Sequence, residues 1–424
     1  MMKEIKLNKL KEVIYYDKCD NGLEIYMWTN DKVNNYYATL NVKYGSCDTK
    51  FKIKDKEYKV SNGIAHFLEH INFHESDGTS AEQYFNKSGT GTNAFTTFDY
   101  TAYEIFGAHD ILGDVEHLLD FVQDKVIDDD IIEKERNIII EEAKMGKNNP
   151  GQRLFYESNK AVYNVNNKRN EIVGSIKDIK AISKQELDLV YDNFYRPDNM
   201  FIVITGNFNP YELSTMIKEN QSKKKYKDVS VKKIYDKEDV KVNKEYIEIT
   251  DNIEIPKISI CYKMNRKRFK DFNDHILRIY LNLIMNANFG PTSDLKEDLM
   301  EKELIYSMSV STEVEKDNII LEILAESRYP NELINVIKET MNKLSITEER
   351  LERRKKCNIA SIISGLDSIE FVNSHIENNI IHYNKINNNI YDIIKKLSID
   401  DANMILKHFD INNISIVVML PEKN

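Results

Sequence analysis

The sequence predicts an α+β protein of two homologous domains, each a mainly antiparallel β-sheet packed with helices. Two patterns support this fold class. Segments with strand and helix periodicity alternate along the chain, and their order in the first half recurs in outline in the second. Between about residues 218 and 245 the composition shifts to Lys, Asp, Glu and Asn with almost no periodicity, as in a connection between domains. We therefore expect an N-terminal domain over residues 1–225 and a C-terminal domain over residues 226–424.

The first half begins with strands and continues with helices. Residues 23–28 and 37–44 are rich in β-branched and aromatic side chains and lie beside Asn-Gly and Gly-Ser turns. Residues 100–106 and 201–205 predict further strands. A period of 3.6 residues predicts helices over residues 62–74, 80–88, 112–125, 129–146 and 183–194.

The second half repeats this order. A strand is predicted at residues 258–262, before a long helix at residues 272–287. A closing strand at residues 414–420 mirrors the one at residues 201–205, which suggests an old duplication. Two more strands are predicted between them, at residues 306–312 and 318–325.

The bulk composition excludes several classes of protein. A net charge of -10 argues against a nucleic-acid surface, because phosphate binding needs a concentrated basic face. No window approaches the roughly 18 apolar residues of a membrane span, and the first ten residues lack the apolar stretch of a signal peptide. The four cysteines show no Cys-x-x-Cys spacing, which argues against a thiolate zinc site. We expect a cytoplasmic protein that binds neither membranes nor nucleic acid.

One predicted helix carries a His-x-x-Glu-His motif at His66, Glu69 and His70. Ser61 or Asn62 supplies the expected N-cap oxygen. At about 100° per residue, the three motif side chains cluster within roughly a 100° arc, so they can point together to one site. Apolar side chains gather on the opposite face, at Ile64, Phe67, Leu68 and Ile71.

This spacing suits a catalytic zinc site. Imidazoles four residues apart can bind one Zn2+, and a carboxylate at the third position lies beside them without entering the coordination shell. Glu69 can then act as the general base that deprotonates a zinc-bound water. The alternative is a surface helix that carries two histidines by chance.

A catalytic zinc needs a third protein ligand, and the predicted helix at residues 129–146 offers one. Glu135 and Glu142 are seven residues apart, two turns on one helix face, so one carboxylate could bind the metal and the other support it. The alternative for charged residues on a helix is a solvated face.

These residues resemble the motif of the pitrilysin family, the inverted zincins that include insulin-degrading enzyme and mitochondrial processing peptidase. The resemblance is strongest over residues 20–206 and includes residues 63–73, 91–97, 101–103 and 194–206. It implies the processing-peptidase-like metallohydrolase fold. It also implies one Zn2+ per chain, with Glu142 rather than Glu141 as the third ligand and Glu135 as the supporting carboxylate.

The family resemblance also suggests where a peptide substrate binds. Residues Asn93, Ala94, Phe95 and Thr96 match the edge strand that holds an extended peptide by backbone pairing. The alternative is an ordinary half-buried strand.

In the second half, Tyr306 matches a substrate-orienting tyrosine of the family. The position of the arginine that accompanies it is occupied by Leu299. In short family members two chains form one chamber, and one chain can carry the zinc while the other carries the arginine and tyrosine. Leu299 therefore favours a zinc-bearing subunit that pairs with a homologous chain lacking the metal motif, although a homodimer remains open.

Three further histidines are not assigned to the site. His74 lies at or beyond the end of the motif helix, where histidines usually face solvent. His109 and His117 have no acidic partner at ligand spacing, so we interpret them as structural or exposed.

The sequence thus predicts a zinc metalloendopeptidase that hydrolyses peptides or unfolded segments. Two alternatives stay open: a non-catalytic scaffold or assembly subunit of the same fold, and a maturation protease dedicated to one peptide.

Overall fold

The computed structural model describes residues 2–7, 9–226 and 229–422. The strands, in chain order, are β1 Lys3–Leu7, β2 Glu12–Lys18, β3 Glu24–Thr29, β4 Tyr36–Val42, β5 Lys50–Ile53, β6 Lys56–Lys59, β7 Gly91–Thr96, β8 Thr101–Gly107, β9 Met200–Gly206, β10 Val231–Lys233, β11 Tyr246–Asp251, β12 Lys257–Asn265, β13 Ser307–Val314, β14 Asn318–Glu326 and β15 Ile414–Pro421. The helices are α1 Ile64–Ile71, α2 Ala81–Ser88, α3 Ile111–Gln123, α4 Asp129–Lys147, α5 Pro150–Val162, α6 Ile176–Ala181, α7 Lys184–Phe194, α8 Pro210–Ser222, α9 Asp274–Phe289, α10 Asp294–Glu301, α11 Pro330–Asn342, α12 Glu348–Gly365, α13 Ile369–Tyr383, α14 Ile390–Lys396 and α15 Ile399–Lys407. Among the helices described, none is both long and apolar enough to cross a bilayer.

These elements form two compact units that interleave in sequence. Unit one contains Met1–Lys144, Glu171–Tyr235 and Ile362–Asn389, and unit two contains the segments between and after them. A single division between residues 225 and 226 does not describe this arrangement, because α5 belongs to unit two and α13 to unit one. As a division of the sequence into two repeats, that boundary stays a prediction.

Unit one is built on a sheet of seven strands in the order β1-β2-β3-β9-β4-β8-β7. Only β3 and β9 pair in parallel, and the other neighbours are antiparallel. Alternate side chains of β3 point to opposite faces, so Ile25 and Met27 join the main core while Tyr26 and Trp28 pack with helix α13. Strand β7 lies at the edge, beside helix α1.

Unit two has a sheet of five strands in the order β11-β15-β12-β14-β13. Its only parallel pair is β11 and β15, and β15 pairs antiparallel with β12 on its other side. Strand β9 has the same two kinds of neighbour in unit one. The predicted α+β class, with two similar domains of mainly antiparallel sheet, is therefore confirmed.

The segment predicted as a featureless connection is anchored in the fold. Strand β10 pairs with β5 in unit one. Further on, within unit two, the buried Glu238 carboxylate accepts hydrogen bonds from the backbone N–H groups of Asn164, Val165 and Asn166, at 2.8, 2.9 and 2.7 Å. The ammonium group of fully buried Lys263 lies 2.7 Å from the same carboxylate. Long-range polar contacts replace the missing hydrophobic periodicity here.

Candidate metal centre

Helix α1 presents the motif because its start is fixed by a glycine. The N-cap is Gly63, with a positive φ of 85°, and a β-carbon there would collide with the carbonyl oxygen of Val173. The predicted cap at Ser61 or Asn62 is wrong, since the Ser61 hydroxyl donates instead to Glu186 at 2.9 Å. The apolar face of the helix is buried in the core, as its periodicity predicts.

The structure brings His66, His70 and Glu142 together. Nε2 of His66 lies 3.5 Å from Oε1 of Glu142, and Nε2 of His70 lies 3.4 Å from Oε2. Two ligands at about 2.0–2.1 Å from one tetrahedral zinc ion are separated by about 3.3 Å. The two distances are close to this value, and one ligand atom of each residue lies within 4.8 Å of the others, so the group could hold such an ion. Among the residues described, no other group of three or more His, Cys, Asp and Glu side chains converges in this way.

The electrostatics of the cluster suit a divalent cation. Hydrogen bonds from His66 and His70 lower the pKa of Glu142, so this carboxyl is ionised at neutral pH. Burial lowers the pKa of His70, but hydrogen bonds to Glu135 and Glu142 outweigh it and raise that pKa to about 9. The carboxylates therefore favour positive charge at this point, and a bound metal would supply it in place of the proton.

Glu69 lies on the same helix but outside the ligand group. It is 7% exposed, and the hydroxyl of Thr96 donates a short hydrogen bond to its Oε2. Burial raises the pKa of Glu69, and the neighbouring His66 and the Thr96 hydroxyl offset part of that rise. A carboxylate whose pKa is raised by burial suits proton transfer.

Glu135 lies two helical turns before Glu142 on helix α4 and contacts His70. Its Oε2 lies 3.2 Å from Nδ1 of His70, and its Oε1 lies 2.8 Å from Nε2 of His74. An ionised carboxylate only accepts hydrogen bonds, so Nδ1 of His70 and Nε2 of His74 both donate, and Nε2 of His70 is the nitrogen that a metal would bind in place of a proton. Burial raises the pKa of Glu135, but the bonds from His70 and His74 produce a net lowering.

The structure corrects the interpretation of His74 and agrees with that of His117. His74 does not face solvent, since its side chain is only 19% exposed and bonds to Glu135. His117 has a structural role, since its ring stacks on Tyr84 and its Nε2 lies 2.7 Å from Oε1 of Glu75, a residue distant in the sequence. His109 is exposed.

The four residues predicted to hold substrate form most of strand β7. In the described part of the chain, β7 pairs with β8 alone, so its outer edge has no strand partner. Asn93 is exposed and donates to Glu104 at 2.8 Å, and Phe95 packs edge-on against Tyr100. Ala94 packs against the core, and Thr96 reaches Glu69.

Tyr306 and Leu299 lie in unit two. Leu299 is 1% exposed in the core, so no arginine could replace it without disrupting the packing. Tyr306 is half exposed, and the guanidinium group of Arg328 lies 5.6 Å from the centre of its ring. An arginine therefore accompanies this tyrosine from a different element, a pairing that sequence spacing does not reveal.

Known protein families and solved structures match this chain over most of its length. Residues 38–175 match the model of Insulinase (Peptidase family M16), and residues 181–357 match the model of the Peptidase M16 inactive domain. The uncharacterized zinc protease YmfH of Bacillus subtilis is 31% identical over 434 aligned residues that cover 100% of both chains. The beta subunit of mitochondrial-processing peptidase from Blastocladiella emersonii is 30% identical over 39% of this chain and 37% of its own.

A solved structure of an M16-like peptidase from Alicyclobacillus acidocaldarius superimposes with a TM-score of 0.90 at 26% identity, over 96% of this chain and 98% of that one. A protease from Helicobacter pylori shares the fold, with a TM-score of 0.82 at 18% identity over 97% of this chain and 100% of that one. Because the two family models together span most of the sequence and a relative of 31% identity aligns over its full length, the chain belongs to peptidase family M16.

Proposed function

We propose that the chain is a zinc-dependent metalloendopeptidase that binds one Zn2+ through His66, His70 and Glu142. The convergence of these three side chains beside a buried carboxylate, Glu69, is the observation that carries the proposal. When bound, the zinc ion supplies Lewis-acid activation of a water molecule and of the scissile carbonyl group.

The protein's own residues handle the proton. The Thr96 hydroxyl donates a hydrogen bond to Oε2 of Glu69. Oε1 is therefore the oxygen that accepts a proton from the attacking water and delivers it to the leaving amine. Glu135 holds the proton of His70 on Nδ1, which directs Nε2 of that ring toward the metal.

A peptide substrate would bind as an additional strand on the open edge of β7. Backbone hydrogen bonds to this edge are indifferent to side chains, so they suit extended peptides and unfolded segments of varied sequence. Thr96, the last residue of the strand, contacts Glu69, so a peptide on this edge would pass close to the base.

The key experiment compares hydrolysis of a quenched fluorescent peptide by the wild type and by Glu69→Gln. Loss of the base should lower kcat by about 10²–10⁴-fold without loss of zinc. Glu141→Gln is the matched control, because Glu141 is an exposed carboxylate on helix α4 that pairs with Lys144 at 2.7 Å. Equal turnover by the wild type and Glu69→Gln would contradict the proposed role.

We further propose that the chain is the zinc-bearing half of a heterodimer with a homologous chain that lacks the zinc motif. Leu299 stands where the family resemblance leads us to expect an arginine, which favours a partner that supplies it. Activity should rise at least several-fold when such a chain is added to the purified protein. Full activity alone, with a homodimer in sedimentation analysis, would contradict this pairing and favour Arg328 as the local substitute.

A non-catalytic scaffold subunit is the second candidate, and the match of residues 181–357 to the M16 inactive domain favours it. The retention of His66, Glu69, His70 and Glu142 favours catalysis. A third alternative, a maturation protease dedicated to one peptide, would show itself as turnover of one sequence far above a panel of unrelated peptides.

A further inference from the structure

We propose that His74 is a positioning residue of the metal centre, acting on His70 through Glu135. The inference rests on the proposed function, because it assigns a role at the same site. His74 is neither a member of the three-residue cluster nor a candidate base.

The contacts form a continuous chain of hydrogen bonds. Nε2 of His74 donates to Oε1 of Glu135 at 2.8 Å, and Nδ1 of His70 donates to Oε2 at 3.2 Å. Each oxygen of the Glu135 carboxylate thus accepts one hydrogen bond from a histidine, and the two donors together fix the plane of the carboxylate. Glu135 is 6% exposed, so little water is at hand to replace a lost donor.

The backbone holds His74 in place after helix α1 has ended. Its N–H donates to the carbonyl of Ile71 at 3.0 Å, and the residue forms an isolated antiparallel bridge with Ser80. The preceding residue, Phe73, is also held, because its carbonyl accepts a hydrogen bond from the N–H of Ala81 at 3.0 Å. A residue anchored on both sides can transmit a fixed orientation to Glu135.

Without the His74 donor, the Glu135 carboxylate would be held on one side only. It could then rotate away from Nδ1 of His70, and the imidazole would lose the partner that fixes its tautomer and its direction. The expected consequence is weaker metal binding and a lower kcat, with KM little changed, since His74 would contact no part of the substrate.

Two substitutions separate positioning from general packing. His74→Phe keeps a ring but removes the donor, whereas His74→Gln can place an amide N–H near the position of Nε2. His117→Gln is the matched control, because Nε2 of His117 also lies close to a glutamate, 2.7 Å from Oε1 of Glu75, but that glutamate is not part of the hydrogen-bond chain to His70.

Metal retention is the main readout. Each protein is loaded with zinc and titrated with a competing chelator, and the visible spectrum of its cobalt(II)-substituted form is recorded. His74→Phe should bind zinc about 10-fold more weakly than the wild type and shift the cobalt spectrum, at the lower end of effects for groups that orient metal ligands. His74→Gln should regain most of the affinity, and His117→Gln should match the wild type.

A double-mutant cycle gives the sharpest test. In a Glu135→Ala background, His74→Phe should cause no further loss of zinc affinity, because its effect passes through the missing carboxylate. Zinc binding by His74→Phe equal to that of the wild type would overturn the inference, as would an equal loss in His74→Phe and His74→Gln. If the wild type itself bound no zinc, the proposed function would fail instead, so the two failures are distinguishable.

Discussion

The two units have a similar order of strands and helices but carry different side chains on them. In unit one, β4 is followed by the short strands β5 and β6, then by α1, α2, the strands β7 and β8, and then α3 and α4. In unit two, β12 is followed by α9, α10, β13 and β14, and then α11 and α12. In both, a late strand inserts between a parallel and an antiparallel neighbour.

The helices at equivalent places carry opposite chemistry. Helix α9 buries apolar side chains in the core of unit two and lacks the His-x-x-Glu-His motif of α1. Helix α12 buries Arg354 and Lys355, whereas α4 presents Glu135 and Glu142. One architecture therefore carries a cluster of potential metal ligands in one unit and a packed framework in the other, so function has to be argued from the side chains rather than from the fold.

Breaking the buried ion pair of unit two should give the largest change in stability. Lys263→Met leaves Glu238 buried without its cation, which should cost about 3–5 kcal/mol of unfolding free energy. Zinc content should not change, because the three proposed metal ligands lie in unit one. Urea unfolding and metal analysis check both statements, with exposed Lys241→Met as the control.

The pH dependence of this pair has a defined sign. Backbone and Lys263 hydrogen bonds outweigh the effect of burial and lower the pKa of Glu238 to about 2. Its contribution to stability is therefore complete above the ordinary pKa of about 4.5 and is lost as the pH falls toward 2. A Lys263→Met protein that is as stable as the wild type at pH 7 would contradict the account of this framework.

Thr96 links strand β7 to the proposed base, Glu69, and its substitution should have a smaller effect. Thr96→Val removes the hydroxyl that donates to Glu69, and the loss of a hydrogen bond to a charged group should lower kcat by about 10-fold or somewhat more. Thr96→Ser keeps the donor and should retain most of the activity. Steady-state kinetics decide the matter, and equal rates for the valine and serine variants would remove Thr96 from the mechanism.

The smallest effect concerns the helix that covers the second face of the unit-one sheet. Burial raises the pKa of Glu377 on α13, and hydrogen bonds from Thr39 and Asn41 offset this in part. Within the described residues, Oε1 of Glu377 and Oδ1 of Asn41 are buried without a hydrogen-bond partner. Glu377→Gln adds an N–H donor and removes a buried charge.

This substitution should stabilise unit one at neutral pH. A raised pKa in the folded state means that stability is fully present below the ordinary pKa of the group and falls as the pH rises through the folded value. Glu377→Gln should therefore melt a few degrees above the wild type at pH 8, with a difference that shrinks toward pH 4. Calorimetry at both pH values measures this, and a lower melting temperature at pH 8 would contradict it.

Local patterns predicted much of the fold and the core of the site. The periodicity of residues 62–74 gave helix α1 and its two faces, since packing followed the apolar stripe. The start of the helix was missed because a glycine is required at position 63 by the close approach of Val173, which is far away in the sequence. Glu238 was missed for the same kind of reason, because its partners lie on distant segments.

His74 shows where a signal was present but not used. It follows His70 at the same interval of four that separates His66 from His70, and Glu135 precedes Glu142 by two helical turns on α4. If His66 and His70 face Glu142, a histidine one turn further along can face a carboxylate two turns back on α4. Only the structure shows that the chain turns after Ile71 in a way that brings His74 to the carboxylate.

The central claim is that unit one binds a single zinc ion through His66, His70 and Glu142. The most direct measurement is the zinc content per chain of the wild type, Glu142→Gln and Glu141→Gln, purified in parallel and dialysed against the same weak chelator. We predict about one zinc per chain in the wild type and in Glu141→Gln, and a large loss in Glu142→Gln. No zinc in the wild type, or equal zinc in the two variants, would contradict the account.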